Sequence, residues 1–159
     1  MIAPGSLTIR PAMPADLPAV LALYRELDAQ DATDLGEARA IFDRMASYPD
    51  YTLHVAEVDG AALGTFTLLA MENIAHAGAR SAIIEAVAVA GAAQGRGIGR
   101  AMMRAALDLA REKGCYKASL STRMSRERAH AFYESLGFER HGFSYIIHLE
   151  EAPASGEAA

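Results

Sequence analysis

Between Ile83 and Lys113 the chain reads as a strand, a glycine-rich turn and a helix, and the turn is Gln94-Gly95-Arg96-Gly97-Ile98-Gly99-Arg100. A strand that runs through such a turn into a helix start leaves backbone N–H groups unpaired at the positive end of the helix dipole. That arrangement suits an anion, and three closely spaced glycines let a ligand approach the backbone. The segment therefore constrains the chain to a fold in which a strand end faces a helix N-terminus, and it is built for a phosphate-bearing ligand.

The elements around it follow from periodicity and turn chemistry. Leu7–Arg10 reads as a short strand ended by Pro11, and Ala15–Ala29 carries Leu17, Val20, Leu21, Tyr24 and Leu27 at helical spacing. A second helix is expected over Gly36–Ser47, stopped by Pro49. Thr52–Val58 and Ala62–Met71 flank Asp59-Gly60, a hairpin signal, and Asn73–Arg80 is a loop. Ser81–Ala90 is a strand, Ile98–Lys113 a helix with Ile98, Met102, Ala105 and Leu109 on its core face, and Gly114 its stop. Tyr116–Thr122 is a further strand, Ser125 is placed to cap a helix Arg126–Leu136 ended by Gly137, and Phe143–Leu149 alternates as a last strand. The small, polar 152–159 stretch is expected to be a disordered tail behind one domain, residues 1–151.

A length of 159 residues suits one domain with a real core. The formal charge of −5 argues against a nucleic-acid or anionic-membrane partner, either of which needs a concentrated basic surface. A lone cysteine, Cys115, permits no internal disulfide, and no apolar run reaches the length of a membrane span, so the expectation is a cytoplasmic protein. The five histidines show no short ligand spacing and Cys115 has no evident paired base, so neither a metal site nor an acyl-cysteine is expected.

Three phosphate-binding chemistries compete for the turn. A dinucleotide fold needs an acidic residue about 20 positions on, at the end of the next strand, where this chain has Ser121-Thr122-Arg123. A nucleotide-hydrolysing loop needs a Gly-Lys-Ser/Thr ending, which is absent. The third is a coenzyme A pyrophosphate site, and on these residues the chain resembles the GNAT N-acetyltransferases. Gln94-Gly95-Arg96-Gly97-Ile98-Gly99 fits that family's Gln/Arg-x-x-Gly-x-Gly/Ala turn, Val87 and Val89 fit the strand end before it, and Phe132-Tyr133-Glu134-Ser135-Leu136-Gly137-Phe138 is similar to its closing helix and turn.

The resemblance implies an α/β (α+β) fold with a central mixed, mostly antiparallel sheet of six or seven strands, flanked by about four helices. It implies acetyl-CoA as co-substrate and direct transfer of acetyl to a primary amine of a small molecule. Val87, Ala88 and Val89 would meet the thioester and pantetheine, with the strand splaying from its neighbour near Ala88–Ala90. Gln94, Gly95, Arg96, Gly97, Ile98, Gly99 and Arg100 would hold the pyrophosphate. Tyr133 would protonate the departing thiolate, although its helical spacing with Ala129, Phe132 and Leu136 also suits a core residue.

Strand alternation puts Glu85 on one face with Ile83, Val87 and Val89, a carboxylate in an apolar stripe. It is either the general base that takes the acceptor's proton or half of an ion pair with Arg80 or Arg10. Within the family, Leu120-Ser121-Thr122, Ala129-His130 and His141 resemble the aminoalkylphosphonate acetyltransferases, in which case Arg123, Arg126 or Arg128 would attract an anionic acceptor. A protein N-terminus or lysine as acceptor, and a non-catalytic acyl-CoA sensor, are the alternatives. A homodimer is compatible with the exposed edge of a last strand.

Overall fold

Asp59 and Gly60 both take positive φ, 51° and 81°, the left-handed pair whose twist matches a two-residue hairpin. They turn β2 (Tyr51–Val58) back onto β3 (Ala61–Met71) in the computed structural model, which describes residues 7–149. Around this hairpin lies a five-stranded sheet in the order β1-β2-β3-β4-β5, with β1 at Leu7–Pro11, β4 at Arg80–Val89 and β5 at Cys115–Ser119. Three pairings are antiparallel and β4–β5 is parallel. The sheet is thus mixed and mostly antiparallel as expected, with five strands among the described residues rather than six or seven. Four α-helices accompany it: α1 Leu17–Leu27, α2 Leu35–Met45, α3 Ile98–Glu112 and α4 Glu127–Glu134. The contacts divide the chain into two compact units, residues 1–120 and 121–159.

In the first unit, Leu17 and Val20 of α1 cluster with Leu53 and Val55 of β2, and Leu35, Phe42 and Met45 of α2 pack against them. These helices cover one face of the sheet. On the other face, Gly64 of β3 meets α3 so closely that a Cβ there would lie 2.5 Å from the Met102 sulfur. The buried stripe of α3 is Ile98, Met102, Met103, Ala106 and Ala110, turned from the expected one: Ala105 and Leu109 sit on its flank, half-buried. The small side chains of Ala106 and Ala110 let the helix lie close to the sheet.

Other expectations change at the ends of elements. Pro14–Asp16 forms a 3-10 turn before α1. Asp16 is buried there, accepts the Met13 N–H at 2.7 Å and is paired with Arg10. In the second unit, α4 begins one residue later than expected, and its N-cap position is Arg126 with no side-chain cap bond, so Ser125 is not the cap. Gly137 at φ 90° does end this helix. Phe143–Leu149 forms no strand, because alternation supplies an apolar face but not the neighbouring strand a ladder requires. The 152–159 tail lies outside the described residues.

Candidate active site

The functional stretch begins where β4 loses its regularity. Thr67 pairs with Glu85 but Thr65 pairs with Ala88, so the register slips by one and neither Ala86 nor Val87 has a partner on β3. Ala86 absorbs the extra residue at φ 51°, a β-bulge built on a non-glycine residue. The bulge changes which side chains share a face. Glu85 lies with Thr67, while Val89, paired with Gly64, lies on the α3 face. The expected stripe of Ile83, Glu85, Val87 and Val89 is therefore broken, because the inserted residue inverts the alternation beyond it.

β4 also parts from β5. Their ladder covers only Arg80–Ile83 against Cys115–Ser119, so the separation begins after Ile83, several residues before the expected Ala88–Ala90. Beyond that point the outer edge of β4 is outside any ladder among the described residues. Ala90 donates its N–H to Leu63 of β3 at 2.9 Å, and neighbouring residues in an antiparallel ladder face opposite edges. The peptide groups of Val89 consequently turn to the open edge, where the Val89 carbonyl accepts from Gln94 Nε2 at 3.2 Å.

From that edge the chain makes a 3-10 turn, Gly91–Ala93, and enters the glycine turn. The Gly91 N–H donates to Glu26 Oε2 of α1 at 2.7 Å, which fixes where the turn starts. Gly95 and Gly97 have φ of 76° and 86°, so the left-handed backbone alone requires glycine at both. Gly99 is different: it lies in the first turn of α3 without a positive φ, where glycine costs about 1 kcal/mol relative to alanine. A bare backbone there would leave room for close approach of a ligand. The Ala101 N–H is bonded to the Gly97 carbonyl at 3.0 Å, whereas the amides of Ile98, Gly99 and Arg100 precede the first helical bond. Arg96 and Arg100 are exposed beside them. The turn thus fits a pyrophosphate: N–H donors, a helix dipole and arginines converge, and a β-carbon is missing where access matters.

Glu85 is exposed, and its side chain makes no hydrogen bond or ion pair among the described residues. Both arginines considered as partners are engaged elsewhere. Arg10 bridges Asp16 at 2.7 Å and Glu57 at 2.6 Å, and Arg80 bridges Asp50 and Glu72. One polar group on the Glu85 side of the sheet was read from the sequence only as a packing residue. Tyr24 of α1 is half-buried, with its phenol near Thr65, opposite Ala88. Burial pushes that phenol up to about 12, against a smaller opposing effect of Thr65, so it stays neutral. The signal was a hydroxyl-bearing aromatic in an otherwise aliphatic helical stripe.

The second unit holds Tyr133. Gly137 at φ 90° lets the Phe138 N–H return to the Tyr133 carbonyl at 3.1 Å and the Gly137 N–H to Glu134 at 3.0 Å. This helix-ending motif drives Phe138 onto the ring three residues before the cap. Tyr133 is consequently held edge-on by Phe132 and Phe138, at centroid distances of 5.2 and 5.7 Å. Burial raises the Tyr133 pKa and Arg126 opposes the rise; the phenol keeps its proton at neutral pH. His76, in the loop before β4, rests its ring 5.2 Å from Tyr116 of β5.

The model of the Acetyltransferase (GNAT) family matches residues 18–138. A protein of Oryza sativa subsp. japonica named "Probable glucosamine 6-phosphate N-acetyltransferase 2" is 30% identical over 81% of this chain and 79% of its own length. The "Glucosamine 6-phosphate N-acetyltransferase" of Trypanosoma brucei brucei is 34% identical over 52% of this chain and 54% of its own. Among solved structures, the "Putative acetyltransferase from Agrobacterium tumefaciens str. C58" is 38% identical, with a TM-score of 0.85, over 89% of this chain and 99% of that one.

Proposed function

The chain belongs to the GNAT family of acetyltransferases, and on that premise we propose that it carries acetyl directly to the primary amine of a small molecule that also bears a phosphoryl group. It is an acetyl-CoA-dependent N-acetyltransferase. The observation that carries the proposal is the open outer edge of β4 at Val87–Val89, running straight into the glycine turn at the start of α3. The acceptor class rests on the names of the two relatives matched in sequence, both of which specify glucosamine 6-phosphate. We further propose that residues 1–151 act as one acetyltransferase domain, since the family match runs across the division at Leu120.

Bound acetyl-CoA supplies a thioester, whose acyl carbon takes the amine and whose sulfur departs as a thiolate. The chain's residues then have distinct tasks. Amides of Gly95–Arg100 bind the pyrophosphate, helped by Arg96 and Arg100. Main-chain groups of Val87, Ala88 and Val89 hold the arm, and an N–H at the bulge polarises the acyl carbonyl. Glu85, without a partner of its own, accepts the proton from the acceptor ammonium directly or through water. Tyr133 gives its proton to the leaving sulfur.

A thiol-release assay with acetyl-CoA and a panel of amines tests this. The panel holds glucosamine 6-phosphate, aminoalkylphosphonates, unphosphorylated aminosugars, polyamines, amino acids and short peptides. The highest kcat/KM is expected on a phosphorylated or phosphonylated amine. Faster turnover of peptides would assign the enzyme to protein acetylation instead.

A further inference from the structure

We propose that Glu26 is a positioning residue for the coenzyme: from α1 it seats the start of the glycine turn, so that the turn's free amides are in place before the pyrophosphate arrives. The proposal rests on the coenzyme reading of that turn. The contact that carries it joins elements 65 positions apart in sequence, the Gly91 N–H donating to Glu26 Oε2 at 2.7 Å. Gly91 opens the 3-10 turn Gly91–Ala93, and an acceptor there satisfies a donor that the start of a helical turn leaves free.

Packing does not hold the glycine turn in place. A β-carbon built on Gly95 or Gly97 would meet nothing within 4 Å, and residues 94–97 are exposed throughout. The amides are therefore placed by the two ends of the turn. At the far end Ile98, 1% exposed, anchors the start of α3 in the core. At the near end Ala93 is buried, the Ala90 N–H continues the pairing with β3 through Leu63, and Glu26 takes the Gly91 N–H. It is the Glu26 contact that ties the turn to α1, and α1 is itself fixed on the sheet by Leu17 and Val20, which cluster with Leu53 and Val55. A ligand cradle braced on a packed helix loses less freedom when it binds.

Nothing in α1 itself calls for an acid at this position. Glu26 is exposed and lies in the last turn of the helix, where the carbonyl end of the dipole disfavours a negative charge. A carboxylate on the approach to an anion site also repels the ligand. The bond to Gly91 accounts for the residue where charge does not.

Calorimetric titration of the full chain with acetyl-CoA tests this without an acceptor and without turnover. Glu26→Ala is expected to weaken binding roughly fivefold, in keeping with the loss of one hydrogen bond. Glu26→Gln keeps an accepting oxygen and drops the charge, so its affinity should stay within about twofold of the unaltered chain. Gly91→Pro removes the donor instead. Ala90, at φ −48° and ψ 132°, already has the extended conformation that proline requires of the residue before it, and the first position of a helical turn accepts proline. This variant is expected to weaken binding as Glu26→Ala does, and the two substitutions together should weaken it no further. Unchanged affinity in Glu26→Ala overturns the proposal. So does a Glu26→Gln chain as weak as Glu26→Ala, and so does full additivity of the two substitutions. Should the Gly91→Pro chain fail to fold, the alanine and glutamine variants decide alone. An unaltered chain that binds no acetyl-CoA overturns the coenzyme reading and this proposal with it, whereas the variant outcomes strike this proposal only.

Discussion

Within β4, Ser81–Ile83 is laddered on both sides, to β3 and to β5, while Glu85–Val89 keeps only β3 and is interrupted by the bulge at Ala86. The polar groups around the two halves are treated as differently as the backbone. At the first half, Asp50 accepts from both Arg80 and Lys113, and those two cations hold its carboxyl below the usual carboxylate range. Glu72 forms an ion pair with Arg80 Nε at 2.9 Å, although that nitrogen makes no hydrogen bond. The remaining charges there are paired with one another, which ties the starts of β2 and β4 to the end of α3. At the second half a carboxylate and a strand edge are left unused. One strand thus joins a region whose polar groups stabilise the fold to a region whose polar groups remain available for a substrate.

The sharpest way to break this contrast is to neutralise the unused carboxylate. Glu85→Gln is expected to lower kcat by about 10²-fold or more, the usual range for a lost general base. Because the Glu85 side chain is bonded to nothing among the described residues, the unfolding midpoint should not move. A normal rate in this variant would leave the two halves of β4 alike in function. Next in size is Gly99→Ala. A methyl group on the α3 amides should raise the KM for acetyl-CoA roughly tenfold, equivalent to about 1.4 kcal/mol, while a helical alanine keeps the midpoint level or raises it. If the KM is unchanged, ligand access is not why glycine stands there.

The sequence makes the second half of β4 legible in kind but not in shape. Gly95, Gly97 and the helix start at Ile98 are written as residue types whose backbone needs are specific, so the turn is legible in the residue types alone. The Asp59-Gly60 hairpin and the Gly137 helix end were readable for the same reason. The bulge was not, because it rests on Ala86, a residue that carries no mark of positive φ. Its consequence, the inverted face of Val89, was hidden with it. The Asp50 network was equally hidden: it joins positions 30 and 63 residues apart, and spacing along a chain does not encode such pairs. Phe143–Leu149 shows the opposite error, since its alternation records an apolar face without recording what that face meets.

The first half of β4 should fail in the opposite sense from Glu85. Asp50→Ala removes the shared acceptor of Arg80 and Lys113 and puts an alanine, which tolerates the left-handed region less well than aspartate, at φ 54°. Both effects destabilise, so the unfolding midpoint falls by a few degrees while kcat/KM at a permissive temperature stays near the unaltered value. A variant that instead kept its midpoint and lost activity would place Asp50 in the chemistry and erase the distinction between the two halves.

The smallest effect lies two strands away from β4, on β2. His54 of β2 is buried, stacked flat on Phe66 at 4.8 Å, and bonded through Nδ1 to the Thr52 carbonyl. Burial lowers its pKa from the ordinary 6.5, so the folded ring stays neutral where an unfolded chain already binds a proton. Stability from His54 is therefore complete above pH 6.5 and lost as pH falls below it, by at most about 1.4 kcal/mol per pH unit. Asp16 and Asp50, held below the usual carboxylate range by their cations, lose their contributions only at lower pH and leave the interval between about 5 and 7 clear. Thermal unfolding across that interval should show the midpoint dropping on acidification, and His54→Phe, which keeps a stacked ring without a titrating nitrogen, should flatten the drop. An equal fall in both proteins would mean that the acid sensitivity comes from elsewhere in the sheet.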